Sequence, residues 1–301
     1  MKTFDPNHLS VPDRQGLLQS LVCPRPIAFA STVDAAGNVN LSPFSFFNLF
    51  SVNPPVAVFS PSRRGRDGST KHTLQNVLEV PEVVINIVNH SMVEQTSLAS
   101  VEYGKGVDEF VKAGFTAVKS SLVQPPRVAE SPASLECKVT QVIALGQEGG
   151  AGNLVICEIL VIHVNENVLD ASGQRADPYR LDAVARMGGD YYCRANGGAI
   201  FTVPKPNQKM GIGVDVIPAR IRHSRILTGN DLGRLGNVEQ LPDSQSVTDF
   251  SQTEPIREIF VRFAHHAESL EDHLHALAKD FLAAGDTDSA WKTLLQPNDH
   301  Q

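Results

Sequence analysis

Two long apolar runs, residues 134–145 and 154–164, are separated only by the segment GQEGGAGN. That segment is too short for a helix returning the chain across a sheet. The runs are therefore read as antiparallel neighbours in a wide hairpin. A chain organised round such a hairpin is not a doubly wound parallel sheet. Gly150-Ala151-Gly152 invites a dinucleotide reading. However, the glycines of that fingerprint precede a helix whose N-terminus receives the pyrophosphate, and here an apolar strand follows. No Walker loop occurs.

The rest of the first two-thirds supports the same class. Residues 25–33 form a short apolar run that ends in Asp-Ala-Ala-Gly-Asn, a hairpin turn, with 39–47 as the return strand. Pro54-Pro55 then punctuates, and 56–60 and 83–89 are further strands. Short helices are expected over 71–79, 92–100 and 107–113. The expected fold is mainly β with peripheral helices, an antiparallel barrel. After Pro206 the composition changes, so the expected division is a barrel over 1–206 and an extension over 207–301. Residues 207–251, rich in Gly, Pro, Asn and Asp, read as irregular surface. From Pro255 to Gly285, apolar residues at Ile256, Phe260, Phe263, Ala267, Leu270, Leu274, Leu277 and Phe281 follow heptad steps. They predict one helix of about 40 Å, at 1.5 Å per residue, whose seam packs on the barrel or across a dimer. A shorter helix over 289–295 closes the chain.

Charge limits the partners. With 26 Lys+Arg against 33 Asp+Glu, the net charge is −7, which argues against nucleic acid and anionic membranes. No run is apolar and long enough to cross a bilayer. The N-terminus lacks the apolar core of a secretory signal, so a cytoplasmic protein is expected. Cys23, Cys137, Cys157 and Cys193 form no CxxC pair and read as reduced thiols.

One local departure from the acidic balance stands out. The segment SPSRRGRDGSTKHT, residues 60–73, packs Arg63, Arg64, Arg66 and Lys71 among hydroxyls and runs into a helix. A helix N-terminus with cations and hydroxyls around it is a phosphate trap. An exposed loop with an ordinary Ser69 or Thr70 cap fits the same residues. Just before it, NLSPFSFFN alternates small polar and aromatic residues suited to the edge of a flat ring. His265, His266, His273 and His275 lie near Glu268 and Asp272, but no HExxH pattern occurs and no metal is expected. No nucleophile triad can be assembled, so no catalytic side chain is assigned. GGDYY after Arg186 reads as a turn into a strand or as a ring-contacting loop from a neighbouring subunit.

The ordered series RPIAFASTVDAAGNVNLSPFSFFN, NPPVAVFSPSRR, TKHTLQNV, VVINIV, DEFVKAGFT, SLECKV and ARMGGDYY resembles the flavin reductase-like family with the FMN-binding split-barrel fold, over roughly residues 10–206. The resemblance implies a split β-barrel homodimer that holds FMN at the subunit interface, with an α-helical C-terminal extension. Asn40, Leu41, Ser42, Ser45 and Phe46 would border the isoalloxazine ring. Ser60, Ser62, Arg63, Lys71 and Thr73 would hold the ribityl phosphate. It also implies an NAD(P)H:flavin reductase, in which NADH or NADPH passes hydride to the flavin. The reduced flavin would serve a small-molecule substrate, free flavin, or a flavin-accepting monooxygenase or electron-transfer partner. An FMN electron carrier without nicotinamide chemistry and a non-enzymatic barrel for another phosphorylated ligand are the alternatives. Two positions depart from the family pattern. Glu109 stands before Phe110 where many members carry lysine, and Gly152-Asn153 stand where many have histidine.

Overall fold

A computed structural model describes residues 1–205, 210–263 and 266–297. The chain divides into two compact units, Met1–Phe201 and Thr202–Gln301.

In the first unit the strands are β1 (Ala28–Val33), β2 (Val39–Phe44), β3 (Phe47–Val52), β4 (Pro55–Phe59), β5 (Glu82–Ile87), β6 (Ala117–Val118), β7 (Arg127–Val128), β8 (Ala133–Ala144), β9 (Asn153–Val164), β10 (Val184–Arg186) and β11 (Tyr192–Arg194). The helices are α1 (Val11–Leu21), α2 (His72–Glu79), α3 (Val93–Leu98), α4 (Glu109–Ala113) and α5 (Pro178–Leu181). Helix α1, capped by the Ser10 hydroxyl, was not foreseen; its sequence has no buried face to betray it.

Seven strands form one sheet in the order β2-β1-β5-β8-β9-β4-β3. Every pairing is antiparallel, and β8 and β9 pair along their whole length as the hairpin reading requires. The edges of this sheet are β2 and β3, yet only Ser45 and Phe46 separate them in the chain. Two residues cannot span a flat sheet at about 3.4 Å each, so the sheet curls until its edges meet. The edges are not laddered to each other, which leaves a split barrel. The Phe44 and Phe59 rings lie 5.4 Å apart across the split. The single return strand expected over 39–47 is thus broken at Ser45-Phe46, where the chain passes from one edge to the other.

Alternation along β1 shows how the core is divided. Ala28 and Ala30 join Phe44, Phe59, Val83, Ile85, Cys137 and Cys157 inside the barrel. Phe29 points the other way, into a second cluster with Leu41, Met92 and Phe110 under α3 and α4. All six β1 residues are buried because both faces are covered. The four cysteines are free, and burial pushes the Cys137 thiol up to about 12, so it stays protonated.

The second unit is helical: α6 (Ala219–Arg222), α7 (Gly229–Leu235), α8 (Ser244–Phe250), α9 (Glu254–Phe263), α10 (Ala267–Ala283) and α11 (Thr287–Leu294). Two expectations are corrected here. The stretch 207–251 contains three helices rather than irregular surface alone. Two carry strong local caps, Thr228–Asp231 as a reciprocal capping box and Asp243 on Ser246 N, although each is too short to show a period. The long heptad helix is two helices. His266 is non-helical at the start of α10, and Ala264 and His265 lie outside the described residues. The seam packs against itself, with Ile256, Phe260 and Phe263 of α9 meeting Leu270, Leu274 and Leu277 of α10. Trp291 is fully buried nearby in sequence, and its indole N–H donates to Leu235 O at 3.0 Å.

Candidate functional site

The loop that follows β4 is built on the glycine-rich turn between β8 and β9. Arg63 N donates to Ala151 O at 2.8 Å and Gly150 N to Arg63 O at 3.0 Å. The Asn153 amide donates to Pro61 O at 2.9 Å. A Cβ on Gly149 would lie 2.8 Å from Gly65 O, and one on Gly152 would lie 2.7 Å from Ser60 Oγ. Gly149 therefore serves close approach between two backbone segments, and Gly152 leaves room for the Ser60 side chain, in a strand hairpin rather than at a helix start. The Gly152-Asn153 departure has the same cause: Gly152 leaves room for Ser60, and Asn153 tethers the loop.

The arginines are largely committed. Arg63 donates from Nη1 to Gly68 O at 3.0 Å and from Nη2 to Gln147 Oε1 at 2.9 Å, while its buried Nε has no partner. Arg64 Nε meets Glu102 Oε1 at 3.1 Å, and Arg66 Nη2 meets Glu102 Oε2 at 2.9 Å. Lys71 makes no ion pair among the described residues; its ammonium lies 5.9 Å from the Phe44 ring centroid. Burial holds that ammonium below the usual lysine range, against the pull of Glu102. Lys71 is also the cap residue of α2 and makes no side-chain cap bond, so a cation stands at a helix start that no side chain closes.

Across from it, Asn40 of β2 donates through its amide to Thr73 Oγ1 at 2.9 Å, both groups being buried. Leu41 N donates to Glu109 Oε2 at 3.0 Å from α4. Glu109 is only 5% exposed, and burial raises its carboxyl above the usual range, with the Leu41 N–H opposing. Burial and then Arg64 lower His72, which keeps its imidazole neutral at pH 7.

These groups line one polar cleft: Asn40, Ser42, Arg64, Lys71, His72, Thr73, the segment 99–103 and Glu109. Of the ten residues singled out in the sequence, Asn40, Ser42, Lys71 and Thr73 meet there. Leu41 touches it through Glu109. Ser45, Phe46, Ser60, Ser62 and Arg63 do not line it. Ser45 Oγ accepts from Arg25 Nε at 3.4 Å, Phe46 is 42% exposed, and Ser60 N donates to Phe46 O at 2.8 Å. Ser62 is half-buried in the loop beside Arg63. Sequence reasoning missed Glu102 and Tyr103. The available signal was an acid and an aromatic in a glycine-bearing loop between two short helices.

Other sequence features resolve differently. His275 is buried, with Nδ1 2.8 Å from Ser224 Oγ, and His273 Nδ1 lies 2.6 Å from Ser269 O. Glu268's side chain and His265 lie outside the described residues. Among the described residues no group of three ligand-type side chains converges. GGDYY forms the turn after β10 and enters β11 at Tyr192, with Tyr191 77% exposed and Arg186 stacked 4.6 Å over Tyr192. No helix of the described residues is long and apolar enough to cross a membrane.

Residues 20–179, more than half of the chain, match the family described as a flavin reductase like domain. The chain is 36% identical over 182 residues to an uncharacterized protein of Aquifex aeolicus, covering 60% of this chain and 89% of the relative. Among solved structures it is similar to nitrilotriacetate monooxygenase component B from Bacillus cereus (28% identity, TM-score 0.63, covering 67% of this chain and 98% of the other). It is also similar to the 2-nitrobenzoate 2-nitroreductase NbaA of Pseudomonas fluorescens (27% identity, TM-score 0.58, covering 67% and 96%). The chain belongs to the flavin reductase-like family, a family of flavin-related oxidoreductases. The expected fold, a mainly antiparallel β core with peripheral helices and a helical C-terminal region, is the fold observed.

Proposed function

We propose that this protein is an FMN-dependent oxidoreductase of the flavin reductase type, taking hydride from NADH or NADPH. The observation that carries the reading is Lys71, a cation with no ion pair among the described residues at the unclosed start of α2, beside the buried Asn40–Thr73 bond. Such a group binds a phosphate monoester. We assign the phosphate to Lys71 and Thr73 with Ser60, Ser62 and Arg63 from the adjoining loop, whose buried, unpartnered Arg63 Nε suits an anion. We assign the ring edge to Asn40, Leu41, Ser42, Ser45 and Phe46.

When bound, FMN supplies the two-electron chemistry, accepting hydride from nicotinamide. The chain's own residues bind and orient. Lys71 and the first N–H groups of α2 fix the phosphate. Asn40 and Thr73 hold each other, so that β2 presents its backbone in one register. The barrel behind Phe44 excludes water. No side chain is required as a nucleophile.

The exposed apolar residues Phe46, Leu49, Phe50 and Val52 on and beside edge strand β3 favour a homodimer through that face. Similarity to a monooxygenase component B supports delivery of reduced flavin to an oxygenase. Residues 1–206 would carry this activity, and 207–301 would be an appended extension.

The absorption spectrum of the purified protein tests the reading, before and after NADH or NADPH under anaerobic conditions. A flavin spectrum bleached by a nicotinamide is expected. Bound FMN reduced only by a partner protein would assign an electron carrier. A protein that neither carries nor binds FMN refutes the proposal.

A further inference from the structure

Two carboxylates line the cleft. Glu102 is paired with Arg64 and Arg66, whereas Glu109 has no ion pair among the described residues. Glu109 is buried, and its hydrogen bond comes from the backbone N–H of Leu41, within the strand segment assigned above to the ring edge. The lining side chains Asn40, Ser42 and Thr73 are neutral, Asp108 beside Glu109 adds a second negative charge, and neither Lys71 nor His72 forms an ion pair with Glu109 among the described residues.

Two-electron reduction adds a hydride, two electrons and one proton, to a neutral ring. At and above neutral pH the product ring carries one negative charge, while the phosphate is the same in both forms. A carboxylate against the ring therefore separates the two forms. We propose that Glu109 makes this cleft hold oxidised FMN more tightly than reduced FMN, so that the reduced flavin is released to a second protein. This rests on the flavin reading given above. Burial of the carboxyl strengthens the effect, because little water screens it.

The test measures binding, not turnover. Oxidised FMN and dithionite-reduced FMN are titrated anaerobically at about pH 8 into the full-length wild type, Glu109→Gln and Lys71→Gln. The readout is the ratio of Kd for reduced to Kd for oxidised flavin, in which the common phosphate contribution cancels. Gln at 109 still accepts from Leu41 N. The wild-type ratio is expected well above one and about tenfold above that of Glu109→Gln. The potential of bound FMN should then lie about 30 mV lower in the wild type, at about 30 mV per tenfold for two electrons. Lys71→Gln should weaken both forms alike and leave the ratio near the wild-type value. A wild-type ratio of one or less overturns the proposal without recourse to any variant, as does an equal ratio in folded Glu109→Gln. Failure of the wild type to bind either form refutes the flavin reading itself.

Discussion

Gly152→Ala probes the joint between the glycine-rich turn and the loop after β4. The backbone of Gly152 is not left-handed, so alanine is conformationally acceptable there. Its Cβ, however, would meet Ser60 Oγ at 2.7 Å, about 0.7 Å inside ordinary contact, with Leu145 Cδ1 at 3.5 Å and Ser60 Cβ at 3.9 Å unaffected. The clash is thus with one atom. Overpacking of this size costs about 1–3 kcal/mol. Ser60→Ala removes that atom and leaves the 3.9 Å contact, so the double variant should regain most of the loss. The coupling between the two changes should be about 1 kcal/mol or more, in the stabilising direction. Urea unfolding followed by circular dichroism on the four proteins measures it. A neutral Gly152→Ala, or additive effects in the double variant, would refute the close-approach account. FMN affinity adds a second reading: Ser60→Ala should weaken binding several-fold, and the double variant should not recover it.

Removing the internal anion should favour an external one. Glu102→Gln frees Arg64 and Arg66 and should tighten FMN or inorganic phosphate binding by roughly threefold to tenfold at low salt, an effect lost at high ionic strength. Leu274→Ala empties a position that is 1% exposed in the α9–α10 seam. It should destabilise the helical unit by about 2–5 kcal/mol in calorimetry while FMN binding to the first unit persists. Burial lowers His275 from its ordinary value, with Glu271 opposing, Arg220 adding and Asp272 opposing. The unfolded chain therefore binds the proton first. Stability should be full above about pH 6.5, the unperturbed histidine value, and fall as the pH drops below it. His275→Gln should flatten that slope in thermal melts between about pH 7 and 5.

What was legible in the sequence was local. The β8–β9 hairpin could be read because its two runs and short turn adjoin, and the 60–73 loop because its cations, hydroxyls and helix start fall within one segment. Glu102 could not be read as their partner. It stands 38 positions from Arg64 in the chain, and nothing in a charge count identifies a pairing that folding creates. The commitments of Arg63 were hidden for the same reason: two of its nitrogens turn back to Gly68 and Gln147, contacts invisible until the turn folds beneath it. The heptad seam was real as a periodicity and wrong as a length. A seam states which residues seek apolar company, but not whether that company is another chain, a barrel, or a second helix of the same unit.

The two-residue passage from β2 to β3 gives the barrel a latch. On one side of it stand Asn40 and Ser42, at the cleft; on the other, Ser60 N is fastened to Phe46 O. A ligand that touches both sides binds only the latched state, and so draws the local opening equilibrium toward closure by mass action. Occupancy should therefore be written in the amide exchange of Ser60, slowed in proportion to ligand concentration over its dissociation constant. The split in this barrel is then where the fold itself reports whether its ligand is present.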